Sequence, residues 1–300
     1  MDQPAIHSHW ITADGETGSA GSASALFPYW SFTKTVIAIC AVKLSEDERL
    51  DLDAPLPDAP YALRQLLTHT AGLPDYGQFP AYGQAVRARE VPWSRDRMLS
   101  VALSKGMLFA PGDGWSYSNV GYMFAVEAIE AATGQPLDDV IADLVTTPLG
   151  VTGVRIARSP ADFATLHWPE ASSYDPAWVY HRCLIGPAAG AAQILHGLFM
   201  GRLISRDSLA EMQRMIPLGG TLPGRPWATH GYALGLMAGT ATGLGRAIGH
   251  SGAGPFCVNA VYHFPDADRP VTVASFAHGP DEGVAEYAAT AIAAQGSQVL

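Results

Sequence analysis

The order of elements along the chain predicts an α+β fold. Alternating apolar runs typical of strands occur near the N-terminus and again after Gly231, whereas the middle of the 300-residue chain has helical periodicity. This order predicts an antiparallel sheet built from both chain termini and flanked by helices, with a helical subdomain in the middle. No repeat or linker divides the sequence, so we expect one domain over residues 1–300, with an all-helical region at roughly 61–215 and an α/β region at roughly 1–60 plus 228–300.

The N-terminal elements are a short strand and a buried helix. His9 to Thr12 is the strand candidate, and a loop of small residues separates it from a helix that starts at Ser31. Apolar residues from Phe32 to Leu44 surround the whole axis of this helix, which is the pattern of a helix buried among other elements.

The middle of the chain is predicted to be helical, and the C-terminal part returns to strands. The clearest helices are Leu63 to His69 and Val120 to Ala132, followed by one that begins at Gly134 and ends near Pro148. Three strands separated by turns and an alanine-rich helix follow. They are Tyr232 to Met237, Cys257 to Phe264, Val271 to Ala277 and the helix Glu282 to Ala294.

Composition and charge exclude several classes of function. Hydrophobic residues make up 48% of the chain and charged residues 15%, which predicts a compact globular protein rather than a disordered one. The net charge of −10 gives no electrostatic reason to bind nucleic acid or an anionic membrane. No signal peptide or membrane-spanning stretch is visible, so we expect a soluble cytoplasmic protein, with a trimmed export signal as the alternative.

Neither the cysteines nor the histidines form a metal-binding pattern. Cys40, Cys183 and Cys257 lie in apolar or mixed segments and are interpreted as reduced core residues. The ten histidines are scattered without ligand spacing. We therefore expect no metal ion and no other cofactor.

Ser31 and Lys34 are a candidate nucleophile and base. They are three positions apart, so on a helix they share a face and the hydroxyl lies within reach of the amine. Burial lowers the pKa of a lysine, which can then accept a proton near neutral pH. Ser-x-x-Lys is nevertheless short and common, and a lysine that extends its amine to solvent is the alternative interpretation.

Two later segments add candidates that are weak when taken singly. Tyr117 and Asn119 lie in a loop rich in glycine and serine before a helix, and the alternative is a turn in which Asn119 caps that helix. Gly249 to Gly254, which contains His250 and Ser251, lies at the start of a predicted strand. Its alternative is a glycine-rich strand start with a hydrogen-bonded histidine.

Together these segments resemble the penicillin-recognising serine hydrolases, in the branch that holds class C β-lactamases, D-alanyl-D-alanine peptidases and related family VIII-type esterases. The resemblance is carried by Ser31 with Lys34, Tyr117 with Asn119 and His250 with Gly252, in the family's order. Further matching stretches are Leu66 to Pro74, Pro111 to Tyr122, Pro148 to Gly150 and Phe264 to Asp266. The resemblance implies a β-lactamase-like fold and hydrolysis through an acyl-enzyme.

The resemblance also implies roles for the residues of the first two motifs. Ser31 would be the nucleophile, at a helix N-terminus, and Lys34 would be its base partner. Tyr117 would share the proton transfer and protonate the leaving group. Asn119 would hold the acyl side chain and Lys34.

The third motif would bind the substrate. The backbone N–H groups of Ser31 and Ala253 would form the oxyanion hole, each worth about 3–4 kcal/mol of transition-state stabilisation. His250, Ser251 and Gly252 stand where class C β-lactamases carry Lys-Thr-Gly. A neutral imidazole is a poorer anchor than a lysine for a β-lactam carboxylate, so this departure favours ester hydrolysis over antibiotic hydrolysis.

Two further expectations concern the surroundings of the site. The segment between Ala157 and Gly186 is rich in aromatic residues, and we expect Trp178 and Tyr180 to form an apolar pocket for the acyl or alcohol group, with patching of exposed core as the alternative. Only 30 residues precede Ser31, fewer than is usual in the family, so a sheet strand there is expected to be missing or shortened.

The sequence thus predicts a carboxylesterase that acts on small esters through an acyl-enzyme on Ser31. Hydrolysis of D-amino-acid amides or peptides and weak β-lactamase activity are alternatives, and a sensor that is acylated without turnover is an alternative of another class. A Gly-x-Ser-x-Gly nucleophile elbow at Ser251 is discounted, because a strand-like segment follows it where a helix is required. The expected partner is a small ester or amide, and the oligomeric state is left open.

Overall fold

A large antiparallel sheet forms the centre of the molecule. The structure is a computed structural model that describes residues 6–295. Its strands are β1 (Ile6–Thr12), β2 (Thr17–Ala20), β3 (Phe27–Pro28), β4 (Arg155–Ile156), β5 (Leu184–Gly186), β6 (Ile216–Gly219), β7 (Trp227–Tyr232), β8 (Met237–Ala241), β9 (Gly245–Ala253), β10 (Cys257–Phe264) and β11 (Val271–His278). Eight of them form the sheet in the order β2-β1-β11-β10-β9-β8-β7-β6, and β3, β5 and β4 form a small second sheet.

Helices fill most of the middle of the chain. They are α1 (Phe32–Glu46), α2 (Leu63–Leu67), α3 (Pro80–Arg87), α4 (Arg95–Ala102), α5 (Asn119–Thr133), α6 (Leu137–Ile141), α7 (Thr147–Leu149), α8 (Pro160–Phe163), α9 (Ala188–Phe199), α10 (Arg206–Met212) and α11 (Glu282–Gln295). Of these, α1, α9 and α11 contact the large sheet. The region at roughly 61–215 is not all-helical as expected, because β4 and β5 lie within it and pair in the small sheet with β3. A π-helical stretch, Ala142–Thr146, joins α6 to α7. Within residues 6–295, no helix combines the length and the apolar character that a membrane crossing requires.

Both ends of the chain build the sheet, as the sequence predicts. β1 and β11 are antiparallel neighbours, with Ile6 opposite Ala277 and Thr12 opposite Val271. β2 continues the sheet beyond β1. The N-terminal edge therefore carries two strands, β1 of seven residues and β2 of four.

The two faces of the sheet carry different helices. Alternate residues of β11 point to opposite faces. Ala274 and Phe276 lie in the core that includes α1 and α9, whereas Val273 and Ala277 lie in the core that includes α11. The face that carries α1 is therefore the one on which Ser31 is placed.

One predicted strand is wrong, and one predicted helix is divided. The apolar run from Tyr232 to Met237 is not a strand, because Gly235 has φ +72° and turns the chain between the end of β7 and the start of β8. Thr35 of α1 donates a hydrogen bond to the carbonyl of Gly235 at 2.7 Å, so this turn is attached to the first helix. The helix expected from Gly134 to near Pro148 is instead α6, the π-helical stretch and α7.

Candidate active site

Ser31 lies at the start of α1, where the backbone has an uncommon conformation. Trp30 has φ +41°, in the left-handed region that costs a non-glycine residue about 1–3 kcal/mol. Asn259 on β10 stabilises this segment, because its side-chain amide donates hydrogen bonds to the carbonyls of Pro28 at 3.3 Å and Tyr29 at 3.0 Å. The segment before α1 is thus attached to the central sheet and presents Ser31 where sheet and helix meet.

The amine of Lys34 is fully buried one helical turn after Ser31. Its Nζ lies 3.2 Å from Ser31 Oγ, 2.7 Å from Asn119 Oδ1 and 3.0 Å from His181 Nε2. Burial lowers the pKa of Lys34 to about 7, although the nearby charge of Asp75 acts in the opposite direction. A lysine with this pKa is partly a neutral amine at neutral pH and can accept a proton from a serine.

Tyr117 places a proton donor beside the same hydroxyl. Its phenol donates a hydrogen bond to Ser31 Oγ at 2.8 Å, and Lys34 Nζ lies 4.9 Å from the centre of its ring. Burial, and after it the neighbouring Tyr232, holds the pKa of Tyr117 well above its ordinary value, so the phenol stays protonated. A protonated phenol can donate a proton but cannot accept one, and Lys34 Nζ lies on the same hydroxyl at 3.2 Å.

Asn119 is the first residue of α5, but it does not cap the helix. The cap is Ser118, whose Oγ accepts a hydrogen bond from the N–H of Gly121 at 3.1 Å. The N–H of Asn119 donates to Asp75 Oδ1 at 3.0 Å, and its side-chain oxygen accepts from Lys34. The interpretation of Asn119 as a helix cap is therefore wrong, and its amide contacts the lysine amine.

Asp75 and His181 are site residues that sequence reasoning missed. Asp75 is buried and follows a stretch that matches the family, and burial raises the pKa of its carboxyl despite the nearby amine of Lys34. His181 is buried at the end of the aromatic segment, and burial holds its pKa well below the ordinary value, so its imidazole is neutral. His181 directly follows Tyr180 in the aromatic segment, but a second histidine, His167, lies in the same segment, so the sequence did not single out His181.

Residues 250–253 of β9 leave one backbone edge free. β8 begins at Met237, which pairs with Gly249 of β9, so β8 does not extend along residues 250–253. In the described part of the chain these four residues pair only with β10. Their other edge is therefore available to a ligand on the side of the sheet where β8 is missing.

This free edge lies against the start of α1. A Cβ at Gly252 would be 2.8 Å from the backbone nitrogen of Ser31, so the close approach requires a glycine there. The N–H of Gly254 donates to the carbonyl of Cys257 at 3.0 Å. Because bonded and non-bonded pairs alternate in an antiparallel ladder, the N–H of Ala253 then points away from β10, toward the free edge.

His250 and Ser251 point to opposite faces of the sheet. His250 lies on the α1 face with Nε2 3.0 Å from the hydroxyl of Tyr232, and burial lowers its pKa to about 3, so it is a neutral imidazole. Ser251 Oγ lies 2.7 Å from the hydroxyl of Tyr262 and donates a hydrogen bond to Glu286 of α11. The Ser251 hydroxyl is therefore bonded on the α11 side, whereas the resemblance implies a substrate-binding role for this residue.

A cavity of about 210 Å³, which we call the Ala253 cavity, lies next to Asn119. Aromatic rings and small apolar groups dominate its wall. The lining residues are Trp30, Tyr76, Gly77, Tyr82, Val86, Asn119, Tyr174, Val179, His181, Ala253, Gly254 and Pro255. The cavity thus contacts both a neighbour of Lys34 and the strand beside Ser31.

Trp178 and Tyr180 do not line the Ala253 cavity, contrary to the expectation from the sequence. Val179 and His181 face the cavity, and the residues that alternate with them point into the protein. Trp178 packs against Trp93 with ring centres 5.6 Å apart, and the hydroxyl of Tyr180 donates to the carbonyl of Trp93 at 2.9 Å. These two side chains therefore support the cavity wall from behind.

A second cavity, of about 520 Å³, lies beside Tyr117, and we call it the Tyr117 cavity. It shares no lining residue with the Ala253 cavity. Its lining residues are Trp115, Tyr117, Leu218, Arg225, His230, Gly231, Tyr232, Met237, His250, Ser251 and Glu282. Tyr117, a hydrogen-bond partner of Ser31 Oγ, thus lines one cavity, and Asn119 and His181, which contact Lys34 Nζ, line the other.

A sheet built from both termini, with serine, lysine and tyrosine meeting where it joins the helical region, defines the class of penicillin-recognising serine hydrolases. The chain belongs to the Beta-lactamase family, whose pattern matches residues 2–297. The family resemblance and the fold expected from the sequence are thereby confirmed.

Individual relatives carry several different names. Penicillin-binding protein 4* of Bacillus subtilis (strain 168) is 33% identical over 141 residues, which cover 44% of this chain and 31% of that protein. Esterase EstB of Burkholderia gladioli is 34% identical over 178 residues, which cover 51% of this chain and 44% of that protein. Both matches span less than half of the relative.

A solved structure shares the fold over nearly the whole chain. D-amino acid amidase from Ochrobactrum anthropi SV3 superposes with a TM-score of 0.80 and 22% identity, covering 96% of this chain and 94% of that one. At this identity the likeness concerns the fold alone.

Proposed function

We propose that this protein is a serine hydrolase that forms an acyl-enzyme on Ser31 and acts on small carboxylic esters. The observation that carries the proposal is the position of Ser31 Oγ, 2.8 Å from the phenol of Tyr117 and 3.2 Å from the amine of Lys34. Burial lowers the pKa of that amine to about 7, which suits a general base at neutral pH.

In the first half of the reaction Ser31 is acylated. Lys34 takes the serine proton, Ser31 Oγ bonds to the substrate carbonyl carbon, and the N–H groups of Ser31 and Ala253 stabilise the negative oxygen. The bond to the leaving alcohol oxygen then breaks as Tyr117 gives that oxygen a proton, and the ammonium of Lys34 restores the proton of Tyr117. In the second half, water gives a proton to Lys34 as it attacks the acyl carbon. The bond from that carbon to Ser31 Oγ then breaks, Ser31 Oγ takes a proton back from the ammonium of Lys34, and the acid is released.

The preference for simple esters is supported by the Ala253 cavity. Its volume of about 210 Å³ is below the roughly 300–1,000 Å³ of pockets for drug-sized ligands, so it suits a small acyl group. None of the described residues that line it is a carboxylate, and the Asp75 carboxylate behind Asn119 already accepts the N–H of Asn119, so an α-ammonium group in the acyl part would meet no free counter-charge on this wall. This wall favours an uncharged acyl group over that of an amino-acid amide. The relation to an esterase over 51% of the chain points the same way.

The test is intact-mass labelling with a fluorophosphonate, combined with burst kinetics on a nitrophenyl ester. We expect one adduct on Ser31, loss of labelling and hydrolysis in Ser31→Ala, and normal behaviour of Ser45→Ala as a control on the same helix. Full activity of Ser31→Ala would refute the proposal. Release of one equivalent of nitrophenol followed by no turnover would replace it with the acylated sensor.

A penicillin and a D-amino-acid amide complete the comparison of substrate classes. Each is incubated with the protein under the same conditions, and adduct lifetime and product release are measured. We expect the ester to be turned over faster than either. Faster turnover of the amide would move the assignment to amidase while leaving the role of Ser31 intact.

A further inference from the structure

The wall of the Tyr117 cavity includes the guanidinium of Arg225, which is paired with two carboxylates. Arg225 Nη1 donates to Glu282 at 3.0 Å, and Arg225 Nε donates to Glu286 at 2.7 Å, with Nη2 bonded to the same carboxylate. Glu282 lines the cavity, and Glu286 lies directly behind Arg225 with 1% of its side chain exposed. With both carboxylates ionised, one positive charge between two negative ones leaves this wall with a net charge of about −1. Burial raises the pKa of Glu282, so the negative charge is fully present only above that raised pKa.

Apart from Arg225, none of the described residues that line the cavity is a lysine or an arginine. His250 is a neutral imidazole, and His230 directs Nδ1 at the carbonyl of Gly220, 2.7 Å away. A carboxylate placed in the cavity would therefore meet Glu282 and a guanidinium that is already bonded to two carboxylates, and would lose its hydration with little compensation.

Aromatic rings occupy the side of the cavity next to the serine. Trp115, Tyr117 and Tyr232 line it, and the rings of Trp115 and Tyr232 lie 5.9 Å apart. The negative face of an aromatic ring attracts cations, and quaternary ammonium groups are recognised by such rings together with a carboxylate. The cavity thus combines rings and a negative wall within one space of about 520 Å³.

We propose that the Tyr117 cavity is the leaving-group subsite, that it takes an alcohol bearing an ammonium group in preference to a neutral one, and that it rejects an alcohol bearing a carboxylate. The inference rests on the proposed function. Because Tyr117 gives its proton to the leaving oxygen there, the leaving alcohol lies beside Tyr117, in this cavity. The inference extends that function by naming the charge of the alcohol.

The test uses three butyrate esters that differ only in the alcohol: choline, 3,3-dimethylbutanol and 3-hydroxypropanoate. Hydrolysis by the unmodified protein is followed by pH-stat, and each kcat/KM is divided by the rate constant for hydroxide hydrolysis of the same ester, which removes differences in intrinsic reactivity. We expect the choline ester to exceed the neutral ester by about tenfold and the carboxylate ester to fall below it by at least about tenfold.

A pair of variants distinguishes an effect of the cavity wall from an effect of the overall net charge of −10. Glu282→Gln and Glu127→Gln each remove one negative charge. Glu127, on α5, pairs with Arg95 and does not line the cavity. We expect the ratio of choline to neutral ester to fall about fivefold or more in Glu282→Gln and to stay within about twofold in Glu127→Gln. Taking the ratio within one variant cancels any general loss of activity.

The outcomes distinguish the two proposals. A carboxylate ester hydrolysed as fast as the neutral one, or equal ratios in the two variants, would overturn the leaving-group inference while the proposed function stands. Hydrolysis of none of the three esters, together with no labelling of Ser31, would overturn both.

Discussion

Replacing His181 with leucine removes one of the three polar neighbours of the Lys34 amine and keeps a side chain of similar size. His181 Nε2 lies 3.0 Å from Lys34 Nζ, and its imidazole is neutral. A neutral acceptor stabilises an ammonium more than an amine, because a hydrogen bond to a charged group contributes about 1.5–3 kcal/mol and one between neutral groups about 0.5–1.5 kcal/mol. The variant should therefore destabilise the protonated form of Lys34.

The size of the effect follows from that difference. A loss of about 1–1.5 kcal/mol of differential stabilisation corresponds to about one pKa unit. The pKa of Lys34 should then fall from about 7 to about 6. Since the base must be neutral, the acidic limb of the profile of kcat/KM against pH should move down by about one unit, and at pH 6 the active fraction should rise from about 0.1 to about 0.5.

The measurement is the rate of ester hydrolysis or of fluorophosphonate labelling from pH 4.5 to 9, with each profile normalised to its own plateau. The plateau of the variant is expected to be lower, because the amine loses a positioning contact. His263→Leu is the matched control: His263 is buried, its pKa is lowered to about 4, and it bonds to Thr272 rather than to Lys34. If the pH midpoint of the acidic limb were the same in His181→Leu and in the control, the role of His181 in setting the pKa of Lys34 would be refuted.

Three further predictions concern Tyr117, the strand beside Ser31 and the ion pair behind the Tyr117 cavity. Tyr117→Phe should lower kcat/KM by about 10²–10⁴-fold for alkyl esters and by much less for nitrophenyl esters, whose leaving group needs no proton, in a steady-state comparison of the two. Gly252→Ala should slow labelling of Ser31 more than about tenfold, because the new methyl would meet the Ser31 nitrogen at 2.8 Å. Glu286→Leu should lower the free energy of unfolding in urea by about 3–5 kcal/mol, because it removes the buried partner of Arg225.

Each of the three has a result that contradicts it. For Tyr117→Phe it is an equal loss with both ester types, and for Gly252→Ala it is labelling at the rate of the unmodified protein. For Glu286→Leu it is a change no larger than the roughly 0.5 kcal/mol typical of an exposed substitution such as Glu127→Gln.

The local sequence pattern was sufficient to predict most helices and strands and to find the motif residues. The mainly apolar run from Cys257 to Phe264 has the same limits in the structure, because a short apolar run that ends at a turn is a property of the segment itself. The buried helix after Ser31 was predicted for the same reason, since its apolar residues surround the axis. The strand prediction at Tyr232 to Met237 was wrong because apolar character does not reveal a glycine with positive φ.

Contacts between distant segments were beyond such reasoning. His181 meets Lys34 across 147 residues of sequence, and no periodicity connects the two. Trp178 was assigned to a pocket because it is large and aromatic, but the direction of each side chain in an irregular segment is set by packing against residues such as Trp93. The side of the sheet that Ser251 faces follows from the register of β9 against β10, which the sequence does not show.

The bonds from Asn259 to the carbonyls before Ser31 have a consequence for how the protein matures. They join positions 230 and 231 residues apart, so during synthesis the serine, lysine and tyrosine all leave the ribosome long before the residue that anchors the segment ahead of the nucleophile. Contacts of such long range form late in folding, because the intervening loop must close first. A chain stopped before β10 would hold the reactive side chains without the anchor, and competence to react with esters should arise only as the last strands join the sheet.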